Sequence, residues 1–270
     1  MANLTIEFFS HCLIRPVTFK MFLPNDPIGR DKDSNKTLFE ERKPLKTLFL
    51  LHGYTGAAGN WVPEELSKKY NFAVIMPSGE NGFWIDGRST GHAFGSFLTI
   101  ELVDYVRKTF GLAQTPEDTY IMGMSMGGYG SLRAALACPD RFGKAIALSS
   151  ALIIHELKSM KPGMDNGMAN YDYYNECFGD LEKADASLNN PEVLIDNLIA
   201  SGTKIPEIYM AVGTEDFLLE HNRTFHKFLN NRGVKHTYIE SSGNHDMVFW
   251  DEYCRKFVPE VFTDNCIDNK

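Results

Sequence analysis

Apolar positions in this chain fall into short runs between polar loops, and their period switches between two residues and about 3.6. Residues 4–10 and 15–23 alternate, with Val17, Phe19, Met21 and Leu23 on one face, which predicts an antiparallel strand pair at a sheet edge. Residues 24–45 are polar, hold Pro24, Pro27 and Pro44, and carry a charge run from Arg30 to Lys36, so a surface loop with solvated charges is expected. Residues 46–51, 72–76, 119–122, 145–149 and 207–212 are nearly continuous apolar runs, the mark of strands covered on both faces. Residues 235–240 close the set. Helical spacing predicts helices over 60–70, 94–110 (Leu98, Leu102, Tyr105, Val106, ended by Gly111), 128–137, 217–231 (closed by Gly233) and 246–257, the last with Val248, Trp250 and Phe257 as core contacts. Strands and helices in alternation imply an α/β class with a mostly parallel sheet.

Residues 151–204 break this rhythm. They carry Met160, Met164, Met168, Tyr171, Tyr173 and Tyr174 among Asn and Gly, with weak periodicity. A small insertion folded over a site, as lid or pocket wall, is expected within one domain over 1–270, since methionine and tyrosine make an adaptable apolar surface.

Composition narrows the picture by exclusion. The 270 residues are enough for one large α/β domain, and 43% hydrophobic content argues against disorder. A formal net charge of −8 argues against nucleic acid or an anionic membrane surface as partner. Five scattered cysteines, none in CxxC, indicate neither a disulfide framework nor a zinc ribbon. There is no leader-like N-terminus and no apolar run of membrane-spanning length, so a cytoplasmic protein is expected. Its oligomeric state is left open, a homo-oligomer included.

The chemistry centres on Gly123-Met124-Ser125-Met126-Gly127, which follows an apolar strand and opens a helix of small residues. Strand, Gly-x-Ser-x-Gly and helix are the context of a nucleophile elbow, a turn so sharp that its central residue is strained and glycine is needed on either side. Two further loops follow strands: Gly213-Thr214-Glu215-Asp216-Phe217 and Ser241-Ser242-Gly243-Asn244-His245. The order Ser125, Asp216, His245 is that of the α/β-hydrolase fold. All three fall at one edge of the predicted sheet. Glu215 and Asp246 are the rival acids. The loop His52-Gly53-Tyr54-Thr55-Gly56 follows a central strand and has backbone N–H groups free to join an oxyanion hole, Tyr54 with Met126. His52 itself is expected to pack as a structural residue. Trp61, Trp84 and Phe217 are candidate pocket walls, with Trp84 equally suited to plug the core. No HExxH, Cys/His cluster or phosphate loop is present, so neither a metal nor another cofactor is expected.

These stretches, with Asn60-Trp61, Gly128-Tyr129-Gly130, Leu218 and Phe249-Trp250, resemble the esterase family of α/β-hydrolases over nearly the whole chain. That family includes tributyrin esterases, S-formylglutathione hydrolases, feruloyl esterases and mycolyltransferases, and the tributyrin branch is the nearest in pattern. The resemblance implies an eight-stranded, mostly parallel sheet flanked by helices. It also implies triad roles for Ser125, Asp216 and His245, oxyanion roles for Tyr54 and Met126, and a small-molecule ester as substrate. Thr55-Gly56-Ala57-Ala58-Gly59 and Gly127-Gly128-Tyr129-Gly130 depart from the S-formylglutathione hydrolase pattern, which counts against glutathione thioesters. Asp246-Met247 after the histidine and Gly91-His92-Ala93-Phe94-Gly95 depart from the tributyrin pattern. The expected activity is a serine carboxylesterase acting on short acyl esters. The alternatives are a deacylase of acetylated or feruloylated carbohydrates, a thioesterase, an acyltransferase and a non-catalytic binding protein.

Overall fold

The structure is a computed structural model that describes residues 1–26, 29–34, 37–38 and 43–267. Eight strands form one sheet: β1 (Ala2–Ser10), β2 (Arg15–Leu23), β3 (Lys46–Leu51), β4 (Phe72–Met76), β5 (Thr119–Met124), β6 (Lys144–Leu148), β7 (Glu207–Gly213) and β8 (Thr237–Ser241). Their spatial order is β1-β2-β4-β3-β5-β6-β7-β8. The first two strands pair antiparallel with each other, and β2 pairs antiparallel with β4. Every other neighbouring pair is parallel. The eight predicted strands therefore all exist. Within the polar stretch 24–45, Gly29–Arg30 and Thr37–Leu38 form a small antiparallel ribbon in place of the expected loop, while Pro27 and Lys36 lie outside the described residues.

Parallel strands need crossovers, and helices supply them on both faces. One face carries α1 (Glu64–Lys69) and α8 (Met247–Val261), whose Phe249, Tyr253, Phe257 and Val261 are buried with Leu48, Leu50 and Val74 of the sheet. The other carries α2 (Val103–Phe110), α3 (Met126–Ala137) and α7 (Leu219–Asn231), packed on Phe49, Ile75, Ile121 and Met210. The insertion holds α4 (Ile154–Leu157), α5 (Tyr171–Phe178), a 3-10 segment Leu181–Ala186 and α6 (Pro191–Ser201). Its Leu157, Tyr174, Phe178 and Ile195 belong to the same buried cluster as α3.

Three helix expectations are corrected. The helix expected over 60–70 begins only at Glu64. Pro63 stands at its N-cap, and the Asn60 side chain accepts the Val62 N–H in a local turn. The run 94–110 is helical throughout but passes through a π-helical stretch, Phe97–Leu102, between the turn Phe94–Ser96 and α2. Apolar period cannot separate π from α over so few residues. The last helix extends to Val261 through Pro259, and Val248 is 78% exposed although it was expected in the core. Phe249, Trp250, Tyr253, Cys254, Phe257, Val258 and Val261 form the buried stripe, at three- and four-residue steps that leave Val248 outside.

Candidate active site

The elbow is built by close packing at the end of β5. Ser125 adopts φ 55° and ψ −120°, the strained conformation expected of a nucleophile turn. A side chain on Gly123 would collide with the Gly127 carbonyl, and one on Gly127 would stand 2.5 Å from the Leu51 carbonyl. Both glycines are thus demanded by backbone approach. The turn is then tied to its neighbours: Ser125 N–H donates to the Leu148 carbonyl at 2.8 Å, and the Ser125 carbonyl accepts the N–H of Tyr129 and of Ala151.

The acid and the imidazole come from the loops after β7 and β8. His245 Nδ1 lies 2.9 Å from Asp216 Oδ2 and 3.1 Å from Oδ1. Asp216 is 5% exposed. Burial works against its charge, but hydrogen bonds from His245, the Leu218 N–H and Ser149 outweigh that and hold the carboxyl below its ordinary value. Trp250 stands edge-on to the His245 ring at 4.9 Å, and Phe217 lies against it at 4.5 Å. Glu215, the first rival acid, instead accepts the Gly243 N–H and a Ser242 hydroxyl, bracing the histidine loop. Asp246, the second, caps α8 by accepting the Val248 and Phe249 N–H groups. Ser125 and His245 line the same cleft, and among the described residues no hydrogen bond joins them. Such contacts are often long without substrate.

The glycine loop after β3 meets the elbow. A Cβ on Gly53 would stand 3.4 Å from Ser125 Cβ. Thr55 N–H donates to Asn81 Oδ1 at 2.8 Å, and Tyr173 of the insertion donates its hydroxyl to the Asn81 carbonyl, so the insertion steadies this loop. The N–H groups of Tyr54 and Met126 have no hydrogen-bond partner among the described residues. His52 is buried: its Nε2 accepts the Gly79 N–H at 3.0 Å, Nδ1 is 2.8 Å from the Gly53 carbonyl, and burial lowers its pKa. It is the structural residue expected.

Two hollows meet at Ser125. An open cleft of about 610 Å³ is lined by the 52–61 loop, Met247, Trp250 and His245. A cavity of about 420 Å³ lies under the insertion, lined by Tyr54, Phe83, Met126, Ile153, Tyr173 and Leu218 among others. Trp61 lines the cleft, and Phe217 lines both hollows. Trp84 lines neither. It is fully buried, its Nε1–H donates to the His52 carbonyl at 3.2 Å, and its ring lies against Gly79 and Gly130. Its neighbour Phe83 takes the wall position. Sequence reasoning also passed over Ser149, which accepts the Trp250 Nε1–H at 3.0 Å behind Asp216, and Glu156 and His221 in the cavity. Ser149 reads as an ordinary strand end, and its left-handed φ of 46° leaves no trace in residue type. Among the described residues no group of three or more His, Cys, Asp or Glu could hold a metal ion, and no helix is long and apolar enough to cross a membrane.

Residues 11–259 match the family described as "Putative esterase". An acetyl esterase from Caldicellulosiruptor saccharolyticus is 41% identical over 257 residues, covering 94% of this chain and 95% of its own. The fluorophosphonate-binding serine hydrolase FphF of Staphylococcus aureus superposes with a TM-score of 0.80 at 25% identity, over 97% of this chain and 98% of that one. The S-formylglutathione hydrolase FrmB of the same organism gives 0.78 at 26%, with the same coverage. On sequence and fold together, this chain belongs to the esterase family of α/β-hydrolases.

Proposed function

We propose that this carboxylesterase hydrolyses short acyl esters through an acyl-enzyme on Ser125. The observation that supports the reading best is the juxtaposition at one sheet edge. Ser125 shares a cleft with a His245–Asp216 pair, and the unpartnered Tyr54 and Met126 N–H groups lie on the two loops that meet there. A serine hydroxyl needs a base to take its proton as it attacks, and His245 fills that role. Asp216 fixes the imidazole tautomer and stabilises the imidazolium. The tetrahedral oxyanion falls to the N–H groups of Tyr54 and Met126, each such donor being worth about 3 kcal/mol in kcat. His245 then protonates the leaving alcohol, and water repeats the sequence on the acyl-enzyme.

Long unsubstituted alkyl chains are disfavoured in the cavity. An extended alkyl chain running into it would have to desolvate Glu156 and His221. The acetyl esterase relative points the same way, towards acetyl esters. Five free cysteines suit a reducing, cytoplasmic setting. The test is turnover of p-nitrophenyl acetate, butyrate, octanoate and laurate, with Ser125→Ala alongside. Rates should fall with chain length, and the variant should lose at least about 10⁴-fold in kcat. Laurate turned over as fast as butyrate would overturn the acyl preference, and an active Ser125→Ala would overturn the mechanism.

A further inference from the structure

The two hollows at Ser125 are chemically unequal. His245 lines only the open cleft and is absent from the walls of the 420 Å³ cavity. A base that hands its proton to the departing alcohol must face that alcohol. The leaving group therefore belongs to the open cleft, and the acyl group to the cavity. An acetyl group would fill little of 420 Å³.

That cavity is not uniformly apolar. Phe83, Ala151, Ile153, Met168 and Leu218 suit a hydrocarbon chain. Glu156, His221, Asn166 and Tyr174 form a polar cluster in the same wall. Their mutual contacts are long: Glu156 Oε2 to His221 Nε2 is 3.4 Å, Asn166 Nδ2 to Glu156 Oε1 is 3.5 Å, and Asn166 Nδ2 to the Tyr174 hydroxyl is 3.2 Å. A carboxylate can accept about four hydrogen bonds, so Glu156 keeps capacity for a ligand donor. None of the four hydrogen-bonds to Ser125, Asp216 or His245, so the mechanism leaves them without a task.

We infer that the cavity is the acyl side of the site and that Glu156 and His221 are specificity-determining residues for acyl chains ending in a hydroxyl. The inference rests on the esterase reading above. An alkyl end meets the cluster as an uncompensated desolvation, whereas a terminal hydroxyl donates to Glu156 and can accept from His221 or Asn166. Because Glu156 and His221 are 44% and 27% exposed, the discrimination is moderate.

The experiment compares methyl hexanoate and methyl octanoate with their terminal-hydroxy counterparts, following acid release with the full chain, Glu156→Ala and His221→Ala. The hydroxy ester should be preferred in kcat/KM by about fivefold or more at one of the two lengths, and that ratio should fall toward one in the variants. A wild-type ratio at or below one for both lengths overturns the inference, as does a ratio unchanged in both variants. p-Nitrophenyl acetate and butyrate, measured alongside, separate the two failures. Their turnover with a flat ratio removes the acyl-side assignment and leaves the esterase standing. Their inertness, with Ser125 unlabelled by a fluorophosphonate, removes both.

Discussion

Asp216 shows how one side chain is set by opposing terms. Burial raises its pKa and three hydrogen bonds lower it, with the lowering terms prevailing. A carboxyl lowered in the fold adds stability that is present above its unfolded value and lost as pH falls through the folded one. Asp216 therefore stays ionised to lower pH than an ordinary aspartate, and its protonation should add no limb to the pH–rate profile above about pH 5. A limb of second order in protons above about pH 5 would contradict this. Asp216→Asn keeps the shape, removes the charge and should lower kcat by about 10⁴-fold, measured on p-nitrophenyl butyrate. His52 acts on stability instead. Its imidazole is held neutral below the ordinary value of 6.5, so on acidification the unfolded chain takes up a proton that the folded one refuses. Unfolding free energy from denaturant titration should fall between neutrality and about pH 5.5, with a shallower slope in His52→Gln.

At the scale of elements, the strand ends carry the site. β7 ends at Gly213, where a side chain would collide with the Gly243 carbonyl of the histidine loop. That contact, with Glu215 accepting the Gly243 N–H, sets the loop that carries His245 against the one that carries Asp216. Gly213→Ala should lower stability by about 3 kcal/mol and reduce kcat, read by thermal unfolding and by butyrate turnover. Strands were legible because two-sided burial writes continuous apolar runs into the chain, as in β3, β4 and β5. Helix ends were less so. Pro63 and Asn60 delay α1, and Pro259 is accommodated inside α8, outcomes that depend on local turn geometry more than on period.

For the whole molecule, the insertion is continuous with the body. Leu157, Tyr174, Leu181 and Ile195 share a buried cluster with Leu132 and Ala135 of α3, and the Tyr129 hydroxyl donates to the Asn189 carbonyl at 2.7 Å. We therefore expect residues 151–204 to unfold with the rest, giving one calorimetric transition whose van't Hoff and measured enthalpies agree. A separate, earlier transition would mark the insertion as an independent unit.

The sequence by itself determined the class of sheet, the elbow, the order of Ser125, Asp216 and His245, and the glycine loop. Each depends on local chemistry: apolar period, steric demand for glycine, and a reactive side chain just past a strand. Only the tertiary structure decided which face Trp84 meets, that Ser149 stands behind Asp216, and that Glu156 and His221 enter one cavity. Those outcomes depend on residues far apart in the chain whose meeting leaves no periodic or compositional mark. A tryptophan in a glycine-rich loop reads alike whether it lines a pocket or fills a core, until the glycines across the sheet edge show which space is open to it.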